Sequence, residues 1–478
     1  SNGGGIYTTN DLSLTDVVFN NNDAGFNGGA LYVASAATVV VNDTEFTQNQ
    51  APFGDGGAIY VDNSTLTVTN GTFDQNTADS GGGIVNDFGA VTINTSEFTG
   101  NIAAGNVQGG GALNNLGSFT ASGGTIDVTD STFTGNTANA SAGGAMYLSG
   151  GTVTVQRSTF VTNNGGTGGV VHNNASVDFT NSTMVGNTAV NGGAIDNRQG
   201  VITVINSTLN LNSASNVGDS VSNQDSDFNP AAGFDPTTTT FVNSILVGSD
   251  VNNCDGTITD GGGNIDLPDG SNCPAGFSTV DPQFDGGLRD NGGETETIAI
   301  LPSSPAVNAG VGGQCPAFDQ RGAVRSDGAC DIGAVELGNT IREASVPVVP
   351  EVLVVDTAVA VNDPSWYRVD VTVPGSVISA SVTSDFDYDL FLFAPRIDQE
   401  DGQLRDLGNL VDLAQLDNIA QLDNIAQLDN IAQLDNIAEI YDLAQLDNIA
   451  QLDNIAQLDN IAQLDNIAQL DNIAQLDN

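Results

Sequence analysis

The chain has 478 residues, of which 58 are acidic and nine are basic, and the formal net charge is −49. All nine basic residues are arginine, and such a surface repels nucleic acid and anionic lipid, because both are bound by neutralising phosphate with Lys or Arg. No apolar run is long enough for a membrane-spanning helix, and 58 glycines with 6% aromatic residues are typical of short strands joined by tight turns.

A repeat of about 27 residues runs through the first half of the chain. It carries the motif Phe-x-x-Asn, followed by Gly-Gly-Ala and an aliphatic residue, as at Gly56–Ile59. The asparagines of the first motif form one column: Asn22, Asn49, Asn76, Asn101, Asn136, Asn163, Asn187 and Asn212. A third segment alternates apolar and polar residues, as at 201–205. Three short strands with Gly or Asn at the corners predict one rung of a parallel β-solenoid.

The solenoid gives each repeated residue type a physical role. Rungs stack about 4.8 Å apart, and a side-chain amide both donates and accepts, so the asparagine column is expected to bond along the axis. The phenylalanine column is expected to stack inside, and the double glycine is expected to supply backbone shapes that a Cβ forbids.

The alternating GGA[ILV] and FxxN motifs, which cover roughly residues 1–250, resemble those of the polymorphic outer-membrane protein family. The resemblance implies a right-handed parallel β-helix in a surface-exposed, adhesive domain.

One column of the repeat contains the best candidate for acid–base chemistry. The residue after each Gly-Gly-Ala-Ile unit runs Tyr7, Tyr32, Tyr60, Val85, Asn114, Tyr147, His172, Asp196. His172 and Asp196 are therefore expected on adjacent rungs, with Arg198 two residues further on, which is a candidate catalytic cluster. Because the column varies freely, we interpret it as surface; its tyrosines predict either rung packing or an aromatic strip for glycans. Asp130 and Arg157 are predicted to form a salt bridge between rungs.

The repeat loosens after Asn212. Residues 214–240 carry Asp219, Asp225, Asp227 and Asp235 and are predicted to form a surface loop.

Residues 251–338 are predicted to be disulfide-bonded final rungs and a cap over the open sheet edge. No CxxC pair occurs and His172 is the only histidine, so the cysteines do not match a zinc motif. The pairs Cys254–Cys273 and Cys315–Cys330 are expected, which implies an oxidising compartment. Residues 281–336 resemble the choice-of-anchor Q region, which implies export and attachment to the cell surface.

The remainder divides by composition into a linker at 339–363, strands at 364–396, and a hexad repeat at 397–478. The second segment resembles the start of a pre-peptidase C-terminal domain, a small β-sandwich. Leu or Ile at every third residue of the hexads is consistent with a second β-solenoid, with a helix or an unstructured tract as alternatives. Stacked Asp columns in such a solenoid would repel each other unless a cation bridged them, so Ca²⁺ is an open hypothesis.

The sequence predicts an extracellular bacterial surface protein, secreted or cell-surface, with a structural or adhesive role and no cofactor. Its expected partners are a cell surface, extracellular matrix or glycan, or further copies of itself. The alternatives are a subunit of an extracellular filament and a polysaccharide lyase or hydrolase.

Overall fold

The computed structural model describes residues 1–105, 109–118, 122–139, 142–224, 237–248, 252–268, 271–325 and 329–337, together with four short strands further along the chain. The chain divides into two compact units, Ser1–Thr372 and Val373–Asn478. Every regular element among the described residues is a β-strand. The prediction of an all-β parallel solenoid is confirmed.

Three long sheets run through the first unit, and each repeat adds one strand to each sheet. The first sheet contains Ile6–Thr8, Leu31–Val33, Ile59–Asp62, Ile84–Asp87, Leu113–Ser118, Met146–Leu148, Val171–Asn173, Ile195–Asn197, Val221–Asn223 and Cys254–Gly256, with Ser122–Gly123 added antiparallel. The second sheet contains Leu12–Thr15, Thr38–Asn42, Thr65–Thr69, Ala90–Asn94, Thr125–Thr129, Thr152–Gln156, Ser176–Thr180, Val201–Ile205, Thr238–Val242 and Ile258–Asp260. The third sheet contains Val18–Asn20, Glu45–Thr47, Thr72–Asp74, Glu97–Thr99, Thr132–Thr134, Thr159–Val161, Thr183–Val185, Thr208–Asn210, Ile245–Val247 and Ile265–Leu267.

Shorter strands complete the described elements. Gln50–Asp55, Thr77–Ser80, Ile102–Ala103 and Thr137–Ala138 form a fourth sheet, and Thr188–Asn191 pairs with Ser213–Val217. Further on, Val346–Val348 pairs with Tyr367–Val369 in the first unit, and Arg396–Ile397 pairs with Leu404–Arg405 in the second. Apart from these strands, the predicted linker at 339–363, the β-sandwich fragment at 364–396 and the hexad repeat at 397–478 lie outside the described residues.

The phenylalanines of the repeat stack inside the solenoid because equivalent residues of successive rungs pair in register. Phe46 pairs with Phe73 and Phe73 with Phe98, and their ring centroids are 4.8 and 4.4 Å apart. The stack is buried from Phe19 to Phe160, after which Met184 and Leu209 continue it. Burying one such side chain contributes about 1.5–3 kcal/mol, so a column of this length is a main source of stability.

The asparagine column forms a ladder beside the phenylalanine stack. Asn136 Oδ1 accepts hydrogen bonds from the backbone N–H and from Nδ2 of Asn101, both at 3.0 Å. Asn136 Nδ2 donates to Asn163 Oδ1 and to the Phe98 carbonyl, both at 2.9 Å. The side-chain ladder was expected from the sequence; the bonds to backbone groups were not. They tie each corner to its neighbouring rungs.

The two glycines of the Gly-Gly-Ala motif have different tasks. The first adopts positive φ in most repeats, as at Gly28 (+69°) and Gly56 (+71°), and this is the region that favours glycine. The second lies against the next rung: a Cβ on Gly57 would stand 2.3 Å from the Gly82 carbonyl oxygen. Both positions therefore exclude side chains: the second because of close packing, and the first because of its φ as well as close packing, since a Cβ on Gly28 would stand 2.4 Å from the Leu31 carbonyl oxygen.

We expect Gly57→Ala to lower the free energy of unfolding by about 3 kcal/mol or more, because the added methyl meets backbone that cannot rotate away. Chemical denaturation of the variant measures this loss. Gly287→Ala is the control, since a Cβ there has nothing within 4 Å. Equal stability of the two variants would contradict close rung packing at Gly57.

The residues predicted to form a cap divide between the end and the side of the solenoid. Phe277 joins the main core and contacts Phe241 edge-on, and Ser278 bridges to Ile265 in the last rung of the third sheet. The chain then runs back along the corner between the second and third sheets. There Asn206 Nδ2 donates to the Asp331 carbonyl and the Gly333 N–H donates to the Asn243 carbonyl. The structure contains the disulfides Cys254–Cys273 and Cys315–Cys330.

The predicted surface loop at 214–240 is wrong at both ends. Val221–Asn223 continues the first sheet and Thr238–Val242 continues the second, because Val221 and Phe241 still occupy interior positions of the rung and join the main core. Asp219 is buried. Asp225, Asp227 and Asp235 lie outside the described residues.

Candidate functional site

The column that the sequence indicated as surface is buried over most of its length, so that prediction is wrong. Tyr7 is 56% exposed, but Tyr32, Tyr60, Tyr147 and His172 are each at most 7% exposed. Strand register places these side chains directly above one another, and the rings of Tyr147 and His172 stack 5.2 Å apart. Each member of the column is therefore covered by its neighbours, although it lies outside the main core.

His172, Asp196 and Arg198 come together as the sequence predicted. Strand register pairs His172 with Asp196, and His172 Nδ1 lies 2.9 Å from Asp196 Oδ2. The same oxygen accepts from Arg198 Nε at 2.8 Å. Thr167 Oγ1 lies 2.8 Å from His172 Nδ1, so one imidazole nitrogen faces both a carboxylate and a hydroxyl.

Burial decides what this cluster can do. The side chains of His172 and Asp196 are 6% and 0% exposed, and that of Arg198 is 18% exposed. The geometry orients the imidazole toward the carboxylate, but a polymer cannot reach the carboxylate. Among the described residues, Asp196 Oδ1 and Ser222 Oγ on the next rung are buried and have no hydrogen-bond partner. Sequence reasoning missed Ser222, because the residues before it are Gly-Asp-Ser-Val and do not match the Gly-Gly-Ala-Ile motif.

At the other end of the column, tyrosine hydroxyls bond to carboxylates of the following rung. Tyr32 Oη donates to Asp62 Oδ2 at 3.1 Å and Tyr60 Oη to Asp87 Oδ2 at 2.7 Å. Burial, and then the bond to Asp62, raises the pKa of Tyr32 to about 12. Burial and the bond to Asp87 raise the pKa of Tyr60 as well. These tyrosines are neutral donors, and their stacked faces leave no platform for a sugar.

Asp55 lies close to Asp87, the carboxylate that accepts from Tyr60. Burial, followed by repulsion from Asp79 and Asp87, raises the pKa of Asp55 from 3.8 to about 6. Between pH 3.8 and about pH 6, the folded chain binds more protons at Asp55 than the unfolded chain does. The contribution of Asp55 to the free energy of unfolding therefore falls as pH rises through this range.

We expect Asp55→Asn to be more stable than the wild type above pH 6 and to approach it near pH 4, because the variant removes a carboxylate that is costly to ionise. Denaturation midpoints from pH 4 to 7 measure the difference. Asp178→Asn removes the same charge at an exposed position and should not reproduce the pH dependence. A constant difference between Asp55→Asn and wild type would contradict the role given to Asp55.

The predicted salt bridge between Asp130 and Arg157 is confirmed, and it is bidentate. Arg157 Nε and Nη2 donate to the two carboxylate oxygens of Asp130, each at 2.7 Å. The pair lines a cleft of about 340 Å³. The other wall belongs to residues 294–325 and 329–337, which run back along the solenoid and are here called the returning segment. Its cleft residues are Glu294, Phe318, Arg321 and Gly322. The sequence predicted the pair but not the cleft.

The described residues contain neither a candidate metal site nor a membrane-spanning helix. They contain no group of three or more His, Cys, Asp or Glu side chains able to hold a metal ion. The Asp columns on which the Ca²⁺ hypothesis rests are in the hexad repeat, outside the described residues. The described part of the chain has no helix with the length and hydropathy needed to cross a bilayer.

No protein-family model matches the chain, and no curated protein matches it. Among solved structures it is similar to the crystal structure of pectate lyase Pel9A, with 15% sequence identity and a TM-score of 0.32. The overlap covers 71% of this chain and 84% of that chain. A likeness of this size says nothing about the activity or the site residues of this protein.

Proposed function

We propose that the chain is an extracellular bacterial surface protein with a structural or adhesive role, in which a stiff β-helix displays the side chains of its outward positions. One observation carries the proposal: the recurring residues are interior. Ladder asparagines from Asn49 to Asn212 are 0% exposed, and the phenylalanine stack is buried with them. Variation from rung to rung is thus left to the outward positions, which suits multivalent display on a scaffold.

Three further features support the surface location. Two disulfides favour an oxidising compartment. The GGA[ILV] and FxxN motifs resemble those of a surface-exposed adhesive family. Residues 281–336 resemble a choice-of-anchor Q region, which is consistent with attachment at the cell surface.

The structure supports the display role better than the alternatives. His172 and Asp196, the best catalytic candidates, are buried by their own column, whereas a lyase or hydrolase needs them open to a polymer. Residues 271–278 occupy part of the last rung's edge through Phe277 and Ser278, and this disfavours filaments built by stacking solenoid ends.

Antibody labelling of intact cells, with electron microscopy of the purified protein, tests the proposal. We expect labelling without permeabilisation and short, separate rods. Labelling that requires permeabilisation would count against it. So would cleavage of acidic polysaccharide by the wild type that is lost in His172→Ala and Asp196→Ala.

A further inference from the structure

The cleft lined by Asp130, Arg157, Glu294, Phe318, Arg321 and Gly322, here named the corner cleft, lies where the returning segment begins to cover the solenoid. Asp130 and Arg157 are corner residues of adjacent rungs, between the second and third sheets. Thr295 Oγ1 donates to the Arg157 carbonyl at 3.1 Å, so the segment joins the solenoid at the rung of Arg157. The cleft therefore has one wall from the solenoid and one from a segment more than a hundred residues away.

The solenoid wall is a fixed pair of planar charged groups. The bidentate bond to Asp130 raises the pKa of Arg157, which keeps the guanidinium charged. The side chains of Arg157 and Asp130 are 28% and 21% exposed. Their outer edges are thus accessible to a ligand while their mutual bond holds them in place.

The opposite wall combines an aromatic ring with a second guanidinium. Phe318 is 49% exposed, and its carbonyl accepts from Asn181 Nδ2 at 2.7 Å, which fixes its backbone to the solenoid. Arg321 Nε donates to Asp319 Oδ2 at 2.9 Å. Gly322 adopts a φ of +83°, and a Cβ there would have nothing within 4 Å, so this side of the cleft is open.

Gln320 holds the two walls at a fixed separation. It is 1% exposed, and its Nε2 donates to Thr159 Oγ1 of the solenoid at 2.8 Å and to Thr295 Oγ1 of the segment at 2.9 Å. Its Oε1 accepts from Thr183 Oγ1 at 2.6 Å. A cleft braced in this way is formed before any ligand arrives, which lowers the entropic cost of binding.

We propose that the corner cleft binds a neutral saccharide unit. An exposed ring offers an apolar face to the C–H side of a sugar, and fixed carboxylate and guanidinium groups accept from and donate to its hydroxyls. The charges of Asp130, Glu294 and Asp319 exceed those of Arg157 and Arg321 by one. A carboxylated sugar is therefore repelled locally, as well as by a chain of net charge −49.

This inference deepens the proposed adhesive role by naming a ligand class, and its test is separate from the test of that role. Purified protein is titrated calorimetrically with cellotetraose, maltotetraose, xylotetraose and mannotetraose, and with tetragalacturonate as the anionic comparison. We expect saturable binding of at least one neutral tetrasaccharide, with a dissociation constant on the order of 1 mM, and at least tenfold weaker binding of tetragalacturonate.

Phe318→Ala should weaken that binding about tenfold, and Arg157→Lys should weaken it too, because lysine cannot reproduce the bidentate pair. Phe26→Ala is the matched control, because Phe26 is 59% exposed elsewhere on the solenoid. This variant should bind the saccharide as tightly as the wild type does. The proposal is overturned if no neutral saccharide saturates, if Phe318→Ala binds like Phe26→Ala, or if tetragalacturonate binds best. Failed titrations together with normal surface labelling would reject the saccharide and leave the display role intact.

Discussion

Asn136→Ala is expected to lower the free energy of unfolding by about 3–5 kcal/mol, because it removes four hydrogen bonds from a dry interior. The substitution leaves the backbone N–H of Asn101 without its acceptor and removes one of the two acceptors of Asn101 Nδ2, which keeps the Phe73 carbonyl. It also takes a donor from Asn163 Oδ1 and from the Phe98 carbonyl. Water cannot replace these partners, since Asn101, Asn136 and Asn163 are all 0% exposed.

Chemical denaturation measures the loss, and hydrogen exchange at the Asn101 amide locates it. Asn139→Ala is the control on the same rung: Asn139 is exposed and its side chain makes one bond of 3.3 Å, to the Ala104 carbonyl. We expect the control to change stability by less than about 0.5 kcal/mol. Comparable losses in both variants would mean that the ladder is not a main source of stability.

The ladder and the fold could be predicted because every repeat adds one rung that is displaced along the solenoid axis in the same way. Phe46, Phe73 and Phe98 occupy equivalent positions in the sequence, and parallel pairing brings equivalent positions together. The same rule brought His172 beside Asp196 and Asp130 beside Arg157. Any contact along a column can thus be predicted once the repeat is aligned.

Burial outside the core could not be predicted in this way. Alternation within a strand tells which side chains face outward, but it does not tell what else covers them. Tyr60 and His172 face outward from the first sheet and are nevertheless buried. A variable column therefore predicts surface, although stacking of large side chains removes most of this column from water.

The corner cleft was missed because its second wall comes from a distant part of the chain. Gln320 and Thr159 are 161 residues apart in sequence and 2.8 Å apart in space. The column of the third sheet that precedes each phenylalanine does not mark the covered rungs. Thr159, Thr183 and Thr208 lie under the segment and are at most 1% exposed, but Thr72 and Thr132 occupy the same position on rungs that remain partly exposed.

Arg325→Met is expected to release the returning segment, at a cost of about 3–5 kcal/mol, because it leaves a buried carboxylate without its counter-charge. The side chains of Arg325 and Glu336 are 1% and 3% exposed, with Nη1 lying 2.5 Å from Oε2. Arg325 Nη2 also donates to the Gly333 carbonyl at 2.9 Å and to Asn181 Oδ1 at 3.2 Å. One side chain thus links two parts of the segment to each other and to the solenoid.

Hydrogen exchange separates this loss from global unfolding. In Arg325→Met, the amides of Gly310 and Ile332, which donate to Cys330 and Ala306, should lose protection, while ladder amides such as that of Asn101 keep theirs. Arg289→Met is the control, since its ion pair with Asp285 is 44% and 52% exposed and should contribute less than about 1 kcal/mol. Because the segment supplies Phe318 and Arg321, its release should also abolish saccharide binding while the solenoid stays folded. Loss of protection in the ladder and the segment together would instead show that the two unfold as one cooperative unit.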